Sequence, residues 1–260
     1  MKLLVKLGGK LLDVEESRQR IARELAAVAA GGHQLVVVHG GGTQMTRYLT
    51  ERGIESRFID GLRVTTPETI DAVLKVFAGS VNKQLVASLI QAGARAVGLS
   101  GIDGALVEAE PLREEFGAVG KPVRSDPDLL NLLTVAGYMP VVACVAGDRH
   151  GRIYNVNADQ MAVACAAGFS AEVLVFLTDV DGVLGPDKNR IPHLTSSGAE
   201  QLIRDGHASG GMQAKLNSSV EALRMGIKQV IIAPGSAQNG VKTILNGALL
   251  GTRVTLFEAQ

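Results

Sequence analysis

Six stretches of this chain carry residue types that bind or move anionic groups, and glycine accompanies most of them. Lys6 is followed by Leu7, Gly8 and Gly9, and His39 by Gly40, Gly41 and Gly42, each run closing an apolar segment (residues 3–5 and 35–38). Glycine lets the backbone approach an anion without a Cβ in the way, and a helix that follows aims its free N–H groups at the same place. A lysine at the carboxyl end of a buried strand is costly unless its ammonium faces a cleft or an anion, although a surface position for Lys6 is the plain alternative. In Gly61-Leu62-Arg63-Val64-Thr65 the Arg63 fork suits a carboxylate, or pairs at the surface with Asp60 or Glu68. Asn155, Asn157 and Asp159 alternate into a helix. They form an N-cap array with Asn157 capping, or they place Asp159 where one carboxylate holds two ammonium groups. The loop Thr178-Asp179-Val180-Asp181-Gly182-Val183 follows another apolar run and either caps the next element or lines a nucleotide pocket. Finally Ser209, Gly210, Gly211 and Met212 precede Lys215, a lysine one turn inside the positive end of a glycine-started helix or on its exposed face.

Several chemistries drop out. The His39 glycines resemble the oxyanion loop of esterases, but no Gly-x-Ser-x-Gly elbow supplies a nucleophile. Neither glycine turn spells Gly-x-Gly-x-x-Gly, and no acidic residue closes a second strand as a ribose ligand, which weakens a dinucleotide oxidoreductase. The Walker lysine loop is missing too.

The elements that position these residues alternate. Apolar strands are expected near residues 94–99, 140–145, 172–177 and 229–233, several continuously apolar as parallel strands covered on both faces are. Helical spacing joins Ile21, Leu25 and Val28 after Asp13 as a cap candidate, and Ile70, Val73, Leu74 and Phe77 after Thr66 and Pro67. Residues 101–124 break into pieces that read as antiparallel hairpins at the edge of the site. The expected fold class is α/β, a three-layer αβα sandwich around a central, mostly parallel sheet, with two lobes meeting near residues 168–171.

Composition sets the wider limits. The 260 residues are 46% hydrophobic, enough for a large core, and Lys plus Arg equals Asp plus Glu at 26 each. No net basic field gathers nucleic acid or coats an anionic membrane, and with 3% aromatics and no Trp stacking platforms are not expected. Cys144 and Cys165 lie in apolar stretches and read as buried thiols, not zinc ligands. With no signal-peptide pattern and no run of about eighteen apolar residues, the chain is expected to be soluble and cytoplasmic.

Taken together, Lys6-Leu7-Gly8-Gly9, His39-Gly40-Gly41-Gly42, Gly61 to Thr65, Asn155-Val156-Asn157-Ala158-Asp159, Leu177 to Gly182, and Gly211-Met212 with Lys215 resemble the acetylglutamate kinase family of the amino acid kinase superfamily, in order and along the whole chain. The resemblance implies the amino acid kinase fold, with residues 1–170 as the lobe for acetylglutamate and dimerisation and residues 171–260 as the lobe for ATP. It implies phosphorylation by ATP of the side-chain carboxylate of N-acetyl-L-glutamate, a step of arginine biosynthesis. By similarity, Lys6 and Lys215 stabilise the transition state and Asp159 orients both. Gly41, Gly42, Arg63, Asn155 and Asn157 bind the substrate. Gly8 and Gly9 join the glycines of the second turn in serving the transferring phosphoryl group, and the nucleotide falls to Thr178, Asp179, Val180, Asp181, Gly182, Val183, Leu184, His207, Ala208, Ser209 and Gly211. Magnesium arrives with ATP, held mainly by phosphates and water, so no protein metal ligand is expected. A homodimer without arginine feedback is expected, with no nucleic-acid or membrane partner. A kinase of carrier-linked aminoadipate or glutamate shares most of these motifs, but the neutral charge disfavours its carrier surface. A relative that has lost catalysis is opposed by the retention of Lys6, Asp159 and Lys215.

Overall fold

Long runs of Val, Leu and Ile with no polar alternation make strands that are stable only when helices cover both faces, and the computed structural model, which describes residues 1–257, has that arrangement. From the N-terminus, β1 (Lys2–Leu7), α1 (Glu15–Ala30) and β2 (Gln34–His39) are followed by α2 (Gly42–Thr50) and a short ribbon, β3 (Phe58–Ile59) and β4 (Leu62–Arg63). A continuous helical run comes next: α3 (Pro67–Val73) passes through a π-helical stretch (Leu74–Val81) into α4 (Asn82–Gln91), which leads to β5 (Ala96–Ser100). Then come β6 (Val107–Pro111), β7 (Val119–Ser125), α5 (Asp128–Val135), β8 (Met139–Ala143), β9 (Val145–Gly147), β10 (Ile153–Val156) and α6 (Ala158–Phe169). The chain continues as β11 (Val173–Thr178), β12 (His193–Thr195), α7 (Ser196–Arg204), α8 (Gly210–Arg224), β13 (Gln229–Pro234), α9 (Gly240–Leu245) and β14 (Thr252–Thr255).

One eight-stranded sheet runs β12-β14-β13-β11-β1-β2-β8-β5, parallel throughout except where β13 meets β14. Helices α1, α4 and α9 pack together on one face, and α6 and α8 pack together on the other. The chain leaves β1 toward β2 and leaves β11 toward β13, in opposite directions along the sheet. Right-handed crossovers therefore send the two connections to opposite faces and open a crevice at the carboxyl ends of β1 and β11, the place where open α/β sheets bind ligands.

The edge of that crevice is built by a small closed barrel of order β10-β7-β6-β9. Its β6–β7 pair is antiparallel, the hairpin expected within residues 101–124. The strand expected over residues 140–145 divides: β8 stops at Ala143, and Cys144 turns the chain so that β9 joins the barrel. The crossing is tight, because the Gly101 N–H donates to the Val145 carbonyl at 2.7 Å and a methyl on Gly101 would lie equally close to that oxygen. Thr66 caps α3 through the Thr69 N–H as its sequence position indicates. Asp13 does not cap α1: Val14 occupies the cap, and the Asp13 carboxylate pairs with Arg47 of α2 at 3.0 Å.

Within the run Pro67–Gln91, which has the length of a membrane span, one 18-residue window has a mean hydropathy of 1.2. Its apolar residues have a simpler cause, since Val73, Val76, Phe77, Val81, Leu85 and Leu89 all lie in the protein core. Cys144 and Cys165 are buried, and desolvation pushes both thiols up to about 12. Native protein is therefore expected to release no colour from Ellman's reagent at about pH 8, with both thiols reacting after unfolding in guanidinium; a fast native reaction of one thiol would mean that the cleft beside Cys144 opens.

Candidate active site

The two glycine turns meet at the sheet edge. A methyl on Gly9 would stand 3.1 Å from the Gly42 amide nitrogen, so the turns after β1 and β2 touch backbone to backbone. Gly41 is pinned from the other side, where a methyl would come within 2.8 Å of the Phe77 ring. No protein acceptor among the described residues takes the N–H of Gly9, Gly41 or Gly42. Three unpaired amides thus lie in two touching turns, an arrangement that can bind an anion. Gly8 is used differently: its N–H donates to the Leu177 carbonyl at 3.0 Å and extends the β1–β11 ladder.

Beside these amides lie three charges. Lys6 leaves the end of β1 and its ammonium sits 2.5 Å from Oδ1 of Asp159, while Lys215, in the second turn of α8, reaches Oδ2 of the same carboxylate at 3.8 Å. All three side chains are largely buried. Asn157 caps α6, accepting from the Asp159 and Gln160 N–H groups, and so fixes Asp159 in the first turn, where the helix dipole favours a carboxylate. Two ammonium groups against one carboxylate leave a net positive charge facing the free amides.

Adjacent to this cluster is a cavity of about 170 Å³ whose lining includes Gly42, Arg63, Phe77, Cys144, Asn155 and Asn157. The Arg63 guanidinium gives three hydrogen bonds, to Ser56 Oγ, Thr46 Oγ1 at 2.7 Å and the Gly42 carbonyl at 3.4 Å, and stacks 4.7 Å from the Phe58 ring. A guanidinium has five N–H donors, so two remain for a ligand carboxylate. Burial pulls the Arg63 pKa below its ordinary value, the cost of holding this charge in the wall. Asn155 donates to Thr65 Oγ1, which donates to the Arg63 carbonyl, each at 3.0 Å. Asn155 and Arg63 are thereby tied together although ninety-two positions separate them in sequence.

The remaining sequence candidates divide by exposure. Thr178 is buried at the end of β11, with its hydroxyl donating to Asp179, while Asp179, Val180, Asp181 and Leu184 face solvent. Gly182 and Val183 point inward: a methyl on Gly182 would meet Thr252 Oγ1 at 2.8 Å, and the Val183 N–H donates to that same hydroxyl. These two shape the loop from beneath. His207, Ser209 and Gly211 are exposed just before and within the start of α8, and the Ala208 side chain is buried. Sequence reasoning missed Lys10, which pairs with Asp179 at 2.6 Å across the β1–β11 crevice, Phe77 and Cys144 in the cavity wall, and Thr46, whose hydroxyl accepts from Arg63. Lys10 carried a readable signal, a second lysine directly after the Gly8-Gly9 turn; nothing local marks the others.

The amino acid kinase family matches residues 1–234. An acetylglutamate kinase from Solibacter usitatus is 63% identical over 254 residues, covering 98% of this chain and 99% of that protein. Another from Acidobacterium capsulatum is 46% identical over 239 residues, covering 91% and 92%. Among solved structures, N-acetylglutamate synthase from Neisseria gonorrhoeae, complexed with coenzyme A and N-acetyl-glutamate, superposes with a TM-score of 0.88 at 25% identity over all of this chain, which spans 60% of that synthase. Carbamate kinase from Giardia lamblia bound to AMP-PNP has the same fold, with a TM-score of 0.72 at 18% identity over 98% of each chain. The chain belongs to the amino acid kinase family and, within it, to the acetylglutamate kinases.

Proposed function

We propose that this enzyme transfers the terminal phosphoryl group of Mg-ATP to the side-chain carboxylate of N-acetyl-L-glutamate, giving an acyl phosphate and ADP for arginine biosynthesis. The observation that carries the reading is the Lys6–Asp159–Lys215 cluster beside the unpaired amides of Gly9, Gly41 and Gly42. The carrier-linked alternative is not favoured, since the relatives above are acetylglutamate kinases.

Phosphoryl transfer asks for positioning and for stabilisation of charge on the equatorial, attacking and leaving oxygens. Lys6, beside the substrate cavity, faces the acceptor and the transferring group; Lys215, on α8, faces the nucleotide. Asp159 keeps both ammonium groups aimed and acts as no base. None is needed, because a carboxylate nucleophile with a reference pKa of about 4.3 is already ionised at neutral pH. The glycine amides receive the equatorial oxygens, and the two spare donors of Arg63 take the α-carboxylate, with Asn155 and Asn157 beside it. ATP lies against Thr178, Asp179, Val180, Asp181 and Leu184, shaped from below by Gly182 and Val183, and against the start of α8 from His207 to Gly211. Magnesium enters as part of the nucleotide substrate. The assignment of residues 1–170 and 171–260 to acceptor and nucleotide lobes, the cytoplasmic location and a homodimer belong to the same proposal; light scattering at the monomer mass would remove the last.

Asp159→Asn keeps the shape of the bridge and removes its charge; kcat is expected to fall by about 10²–10³-fold, with the KM for acetylglutamate changed far less. Steady-state rates within a few-fold of the parent would sink the orienting role. Arg63→Lys loses the planar fork and is expected to raise the KM for acetylglutamate by roughly tenfold or more while kcat changes less. Trapping acyl phosphate with hydroxylamine, in parallel reactions with acetylglutamate, acetylaspartate, glutamate and aspartate, checks the substrate: product from free glutamate or aspartate alone would overturn the assignment.

A further inference from the structure

His39 gives the second glycine turn its first residue, yet its ring does not reach the cleft. It is 0% exposed, with Nδ1 2.8 Å from the Gly40 carbonyl and Nε2 3.0 Å from Nδ2 of Asn82, which is also 0% exposed. The proton on this ring can be placed by elimination. Asn82 Nδ2 lies 2.9 Å from the Val141 carbonyl, and a carbonyl only accepts, so that atom is the amide nitrogen. Asn82 Oδ1 meets the Lys83 ammonium at 3.3 Å, which fits the same orientation. Asn82 therefore donates to His39 Nε2, Nε2 is a bare acceptor, and the single ring proton is on Nδ1, donated to the Gly40 carbonyl. Burial and the Lys83 charge favour this neutral ring, pulling the His39 pKa down to about 4.

The consequence falls on the next peptide. In a planar trans peptide the carbonyl of one residue and the N–H of the next point to opposite sides. Holding the Gly40 carbonyl toward the His39 ring turns the Gly41 N–H away from it, and that N–H has no protein acceptor. We propose that Asn82 is a positioning residue for phosphoryl transfer, holding His39 in its Nδ1–H form so that His39 aims the Gly41 amide at the reacting group. The proposal rests on the reading of Gly41 as part of the phosphoryl cradle.

The chain places Asn82 by two specific devices. The π-helical stretch Leu74–Val81 ends at the residue before it. A π turn adds a residue relative to an α turn and so resets which side chains face inward, a deviation that recurs at functional sites. Here Phe77 and Val81 both cover Gly41 and Asn82 points into the sheet. On the sheet, β5 carries Gly98 opposite, where any Cβ would stand 2.0 Å from Asn82 Oδ1.

The test uses the full chain labelled with 15N-histidine, whose long-range proton–nitrogen spectrum reports the tautomer of each ring; His39→Gln identifies the His39 signals among the five histidines. A protonated Nδ1 and bare Nε2 are expected. The opposite tautomer, or a mixture, overturns the proposal. Asn82→Leu removes the donor to Nε2 and should leave the ring a mixture of tautomers, lowering kcat at least about tenfold while the KM for acetylglutamate stays within about threefold; unchanged kcat overturns the proposal. Should that variant not fold, His39→Asn, which still carries a donor near the Nδ1 position, is expected to keep at least about tenfold more kcat than His39→Leu, and equal rates for the pair overturn it. A parent chain with no kinase activity toward any acceptor would sink the proposed function while leaving the tautomer as found; an active parent with the reversed tautomer sinks this inference alone.

Discussion

The structure depends most on one carboxylate. Asp159 lies between two buried ammonium groups, one from the first strand of the sheet and one from a helix more than two hundred residues later. Burying any of these charges alone would cost several kcal/mol, and removing one partner strands the others, so the three are tolerable only as a set. That requirement constrains distant parts of the fold at once. β1 must end where α6 begins, α8 must start beside the same point, and Asn157 must cap α6 so that Asp159 occupies its first turn. The switch between β1 and β11 is the place where the fold can supply all three.

Close backbone approach is the second constraint, and it explains glycine where charge does not. Gly9 and Gly42 stand so near each other that a methyl on the first would crowd the amide of the second, and Phe77 leaves no room for a Cβ on Gly41. The cluster leaves a net positive charge beside amides with no protein partner, and the two features reinforce each other. Fixed N–H dipoles cost no reorganisation when negative charge develops in front of them, and a buried cation attracts that charge more strongly than one in water.

Much of this was legible in the chain. Glycine turns, buried aliphatic strands and the Asn157 cap are local: each is read from a few consecutive residues whose physics needs no partner elsewhere. The convergence of Lys6, Asp159 and Lys215 stood as one of two readings of the Asn155–Asp159 run and was selected only through resemblance, because nothing in the spacing of three residues so far apart states that they touch. What could not be read depended on close packing across the fold. The break at Cys144 comes from the barrel drawing β9 away, Asp13 left its cap position for Arg47, and the Gly8 N–H was taken by the sheet. Lys10 illustrates the remaining gap, since its pairing with Asp179 follows from the β1–β11 register, which no local pattern reveals.

His39 shows how this site distributes charge. A histidine in a glycine turn beside two lysines invites the reading of an acid, a base or a cation, and its surroundings remove all three. Burial disfavours the ionised ring, Asn82 occupies Nε2 as a donor, and Nδ1 is bound to the Gly40 carbonyl. Protonating Nε2 would set two donors against each other and break the buried network, whose members are otherwise paired. The cations beside the glycine turns are Lys6, Lys215 and Arg63, while the exposed Lys83 reaches Asn82 only through its amide oxygen. The groups that set geometry from behind, His39, Asn82, Asn157 and Thr65, are neutral. An uncompensated charge in that inner layer would destabilise the empty enzyme, whereas a neutral donor holds the same atoms in place at no such cost.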